Sequence, residues 1–74
     1  MKGAEFLRNI RALARRRGWQ CEWHPDQGKG SHGTLLVNGR LTVVRNLKDE
    51  LRVGTLHAML KQLGIAERDL HDHR

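Results

Sequence analysis

Tyrosine is absent from this chain, and Cys21 and Pro25 are the only residues of their kinds; Phe6, Trp19 and Trp23 are the only aromatic residues with a hydrophobic ring. One cysteine closes no internal disulfide, so nothing ties the chain to an oxidising compartment. No apolar run approaches the roughly 18 residues of a membrane span. Charges interrupt "MKGAEFLRNIRALARRR" too often for a signal peptide. The expectation is a cytoplasmic protein with no membrane partner. The 74 residues are expected to form one domain over 1–74, with 71–74 as a polar tail. A core of this size buries only about 60% of the surface that the unfolded chain exposes. An active site would therefore lie on a surface or in a shallow groove, which suits a macromolecular ligand better than a small one.

Charge is plentiful and unevenly placed. Residues 1–45 hold nine bases and three acids, and residues 46–74 hold five of each, so the whole formal excess of +6 falls in the first part. A field of one sign attracts polyanions, nucleic acid first among them.

Phe6, Ile10, Leu13 and Ala14 recur at the spacing of one helical face within residues 3–17, while Arg8, Arg11, Arg15, Arg16 and Arg17 fall elsewhere on the wheel. Gly18 follows as a C-cap. "WQCEWH" then alternates strictly, which predicts a strand over 19–24, closed by Pro25. "TLLV" and "RLTV" flank Asn38 and Gly39, the pair that supplies the positive φ angles of a type I′ hairpin turn. A two-residue turn there pairs residues whose numbers sum to 77: Leu36 with Leu41, Thr34 with Val43, and His32 with Arg45. From Gly54 the period is helical again, with Leu56, Met59, Leu60 and Leu63 on one face and Gly64 as the stop; Ile65–Leu70 adds one short turn. The predicted class is α+β, helix–strand–strand–strand–helix, with both helices on one face of a three-stranded antiparallel sheet. That layout is shared with double-stranded-RNA-binding domains and assigns no function by itself.

The chemistry centres on "GKGSHG", residues 28–33. Glycines allow close backbone approach, and successive N–H groups in such a turn can form an anion nest, so Gly28, Lys29, Gly30 and Ser31 could hold a phosphate beside His32. By composition alone the stretch reads first as a plain hairpin loop, because glycine-rich hairpin loops are common. A histidine beside cations can serve as general base, and RNA offers it an internal nucleophile, the 2′-hydroxyl, with no metal or cofactor required. His24 brackets the same loop and is a candidate second acid or base. His57 lies beside the apolar stripe of the second helix, and His71 and His73 lack the cysteine or acidic partners of a metal site. Ser31 has no recognisable triad, and Cys21 on an apolar strand face is inert. The arginines of the first helix, Arg11, Arg15, Arg16 and Arg17, suit phosphate contact.

"GW" at Gly18 and Trp19, "GKGSH", the hairpin after it, and "KDELRVGTLHAMLKQLGI" from Lys48 to Ile65 occur in the order seen in the HicA toxins of toxin–antitoxin pairs, and nearly the whole chain resembles that family. The resemblance implies a double-stranded-RNA-binding-like fold and an endoribonuclease (mRNA interferase), which with a histidine base and the 2′-hydroxyl as nucleophile would be metal-independent. It implies His32 as the catalytic residue, single-stranded mRNA as substrate and a HicB-type antitoxin as partner. On that reading Lys29, Gly30, Ser31 and Arg45 contact the phosphate alongside the helix arginines. The alternatives are a non-catalytic RNA-binding module or a protein-binding adaptor. A double-stranded-RNA binder should carry lysines at the start of the second helix, where this chain has only Lys61 near the end.

Overall fold

The computed structural model describes residues 1–26, 28 and 32–70. Its elements are α1 (Gly3–Arg17), β1 (Cys21–Pro25), β2 (Gly33–Val37), β3 (Arg40–Val44), α2 (Val53–Leu63) and α3 (Glu67–Leu70). The order and the antiparallel sheet β1-β2-β3 are as the periodicity predicts.

α1 buries Phe6, Ile10, Leu13 and Ala14, and Leu7 widens the expected stripe. It stops at Gly18, whose φ of 69° is left-handed; the Gly18 N–H bonds the Arg15 carbonyl at 3.3 Å and the Trp19 N–H the Ala14 carbonyl at 2.8 Å. Two orphan carbonyls are thereby satisfied. At the other end the N-cap residue Lys2 makes no side-chain cap. The segment after β3 substitutes for it: Gly3 N–H bonds the Asp49 carbonyl at 3.2 Å and Ala4 N–H the Leu47 carbonyl at 2.9 Å. The free amides of the first helical turn thus tie α1 to the loop leading into α2.

Asn38 (φ 51°) and Gly39 (φ 82°) form the expected two-residue turn, and Leu36 pairs with Leu41 and Thr34 with Val43. The β2–β3 ladder ends at Gly33 with Val44, one step short of the expected pairing of His32 with Arg45. β1 differs from its expected bounds of 19–24 at both ends. Trp19 is occupied in closing α1, so the strand starts at Cys21. Pro25 ends the strand from inside. The bonds from Asn38 N–H to the Gln20 carbonyl and from Asp26 N–H to the His32 carbonyl mark the even-numbered residues of β1 as the bonded ones. Pro25, opposite Gly33, occupies a non-bonded position on an edge strand, where a missing N–H costs no ladder bond.

Leu35, Val37 and Val44 point from the sheet into one cluster with Phe6, Ile10 and Leu13 of α1, Met59, Leu60 and Leu63 of α2, and Leu70 of α3. Thr42, buried beside them, donates its hydroxyl to the Gln62 side chain. The alternate residues Leu41 and Val43 are 58% and 48% exposed. Among the described residues the three helices therefore cover one face of the sheet and leave the other open. α2 begins at Val53, one residue before the expected start, and ends at Gly64 with φ 70°.

Phe6 is fully buried at the centre of this cluster. Phe6→Ala should cost about 3–5 kcal/mol, a large share of a small domain's stability, measured as a lowered denaturant midpoint.

Candidate functional site

His32 stands immediately before β2 and is half-buried. Its carbonyl accepts the Asp26 N–H at 2.8 Å, which carries the β1–β2 pairing one step past Pro25 and Gly33. Gly28 N–H bonds Asp26 Oδ1 at 3.1 Å and begins the turn on the β1 side. Lys29, Gly30 and Ser31, expected to contact phosphate, lie outside the described residues.

Side chains alternate along a strand, so the register settles which face each residue shares. Leu35 and Val37 face the helices, and Thr34 and Leu36 therefore face away from them; by the same alternation so does His32. Across the ladder Glu22 lies opposite Leu36 and His24 opposite Thr34, on the same open face. Glu22 Oε1 meets His24 Nε2 at 2.9 Å, and the other oxygen of Glu22 accepts the Gln20 amide.

Gly33 holds this end together from the core side. A Cβ there would lie 2.5 Å from Trp23 Cη2 and 2.8 Å from the His24 carbonyl oxygen. Only glycine lets the indole of β1 lie across the start of β2, beside His32. This close approach is a constraint that the glycine-rich composition hinted at without locating.

Arg45 is exposed directly after β3, at the same end of the sheet as His32. It lines a groove between β3 and α2 with Leu41, Val43, Thr55 and Ala58. The helix arginines are spread out. The start of α1 is bonded to residues 47 and 49, just past the β3 end near His32, whereas its C-terminus adjoins Gln20 and the hairpin turn at the far end of the sheet. With α1 about 21 Å long at 1.5 Å per residue, Arg15, Arg16 and Arg17 are not gathered beside His32. Arg17 is also engaged structurally, 3.4 Å from Asp69 and with its guanidinium 5.4 Å from the Trp19 ring centre. Arg11 and Arg15 line a shallow hollow with Arg8, which the sequence reading left out of the site although it falls on the same ridge at i−3 from Arg11. They also border Trp19 and Cys21. Burial pushes the Cys21 thiol up, only partly offset by Arg11, so the thiol stays protonated at neutral pH. His57 pairs with Glu67 at 2.7 Å, where α2 meets α3.

The structure therefore defines a small basic α+β protein with an open sheet face, whose histidines 24 and 32 flank one loop and whose arginines run along the outer helix. A family model described as the HicA toxin of bacterial toxin–antitoxin systems matches residues 8–65, and the chain belongs to that family. It is thus a toxin, and the family implies an antitoxin partner. No curated protein and no solved structure matches the chain. No helix among the described residues is long and apolar enough to cross a membrane.

Gly33→Ala should displace the Trp23 indole. The expected result is a loss of about 1–3 kcal/mol from overpacking, with a shift in tryptophan fluorescence; an unchanged spectrum and midpoint would show that the contact is not a constraint.

Proposed function

We propose that this toxin is a metal-independent endoribonuclease that cleaves single-stranded mRNA in the cytoplasm, with His32 as the general base. The observation that carries the reading is the placement of His32: on the helix-free sheet face, at the glycine-flanked start of β2, in a chain of the HicA family. His32 takes the proton of a 2′-hydroxyl, the 2′-oxygen attacks the adjacent phosphorus, and a 2′,3′-cyclic phosphate forms. The nucleophile belongs to the substrate, so neither a metal-activated water nor a cofactor is needed.

Arg45 suits the stabilisation of charge on the phosphate as it passes through the transition state. Lys29, Gly30 and Ser31, preceding His32 in the sequence, are the further phosphate contacts of the proposal. Arg11, Arg15, Arg16 and Arg17 serve binding through their field: exposed arginines draw RNA by counterion release, and this does not require them to stand at the reacting phosphate. A HicB-type antitoxin would cover the basic surface and His32.

Cleavage by purified wild type beside His32→Ala tests the assignment. The variant should lose about 10²–10⁴ in rate while keeping its circular dichroism and its RNA affinity within a few-fold, and chelator should leave the wild type active. Cleavage by folded His32→Ala at the wild-type rate would reject the base.

Replacing Arg11 and Arg15 together by glutamine should lower the slope of log affinity against log salt by about 1.4, at about 0.7 per phosphate contact on a single strand. The loss should not depend on RNA sequence. An unchanged slope would show that these side chains are only solvated.

A further inference from the structure

Breaking an RNA strand at phosphorus needs two proton transfers on opposite sides of the phosphate. A base takes the 2′-hydroxyl proton, and an acid gives one to the departing 5′-oxygen. In-line displacement keeps these two oxygens apart, so one imidazole is poorly placed to serve both. We propose that His24 is the second catalytic group of this site, the acid that protonates the 5′-oxygen. This inference rests on the ribonuclease reading above.

The register carries it. His24 lies opposite Thr34, and His32 lies opposite Asp26 through the 2.8 Å backbone bond, so the two histidines are diagonal neighbours on one face of one ladder. Diagonal neighbours in such a ladder stand about 7–8 Å apart, room for a phosphate between two rings. Among the described residues, the other titratable or charged groups on these strand ends are Glu22, Asp26 and Arg45; the loop sequence adds Lys29, and an ammonium gives up its proton far less readily than an imidazolium. Carboxylates are ionised near neutral pH and have no proton to give, and a guanidinium does not release one. Imidazole is the group that is both protonated and able to let go there.

The ring of His24 is also oriented. Glu22 Oε1 accepts from its Nε2 at 2.9 Å, and Gln20 in turn donates to Glu22. With Nε2–H held by the carboxylate, Nδ1 is the nitrogen left to act as the proton donor. His24 is 62% exposed, so it is open to a bulky substrate. The step balances: the proton on the 2′-oxygen passes to His32, the O2′–P bond forms as the P–O5′ bond breaks, and the proton of His24 passes to the 5′-oxygen. The products are a 2′,3′-cyclic phosphate and a 5′-hydroxyl, with His24 neutral and His32 protonated. Proton exchange with water then resets both.

The test uses the full chain and an RNA oligonucleotide carrying a cleavage site first mapped with the wild-type protein, made with either oxygen or sulfur at the 5′-bridging position of the scissile phosphate. A thiolate departs without help from an acid. His24→Gln, which preserves a hydrogen bond to Glu22, should slow the oxygen substrate about 10²–10⁴-fold yet cleave the sulfur substrate within about tenfold of wild type. His32→Ala should be slow on both. Equal losses of His24→Gln on the two substrates would overturn the acid role and leave His24 a binding residue, and a wild-type rate on the oxygen substrate would overturn any role. Failure of the wild type to cleave RNA at all would sink the ribonuclease reading itself, and with it this inference.

Discussion

Everything at the candidate site depends on strand register. Asn38 and Gly39, with φ of 51° and 82°, close the hairpin in two residues and so set β2 against β3 without slack. Because side chains alternate along a strand, a slip of one residue would carry Leu35 and Val37 to solvent and turn His32 toward the helices. The burial of Leu35, Val37 and Val44 enforces the same register from the core side. Turn geometry and apolar burial agree, and their agreement puts His32, His24, Glu22 and Thr34 on one open surface.

The rest of the fold braces that surface from behind and from its ends. Trp23 lies across Gly33 on the core side, so the first residue of β2 is pinned against β1 next to His32. Backbone bonds from the first turn of α1 to Asp49 and Leu47 tie down the segment that follows Arg45. At the opposite end Arg17 links α1 to α3 through Asp69 and lies over Trp19. The loop between Asp26 and His32 thus springs from a braced end of the sheet, which suits a site that must position groups in a chain too small for a deep pocket.

Charge and chemistry are distributed differently. The candidate proton-transfer groups occupy the end of the sheet where β1 and β2 begin their loop, while Arg15 and Arg16 lie toward the hairpin end on the outer helix. On the proposed ribonuclease reading, the second region draws a long polyanion and the first reacts with it. An antitoxin that blocks such a toxin has two kinds of surface to meet, an open strand face with exposed Leu41 and Val43 and a basic helix.

Much of this was legible in the chain alone, because local physics is written in local patterns. The stripe of Phe6, Ile10, Leu13 and Ala14, the stops at Gly18 and Gly64, and the Asn38–Gly39 turn follow from helical period, left-handed glycine and positive-φ turn chemistry. The pairing of Leu36 with Leu41 follows from the turn by arithmetic, and His32 was marked by its glycine-rich setting and family motif. What only the tertiary structure decided involves residues distant in sequence. Neither the bonding of α1 amides to Asp49 and Leu47 nor the engagement of Arg17 by Asp69 leaves a periodic trace. The same holds for the bounds of β1: strict alternation placed it at 19–24, but Trp19 was needed to close a helix and Pro25 could stay in the strand because its ladder position asks for no N–H. Period reports which face a residue takes; which partners its backbone meets is settled only when the elements pack.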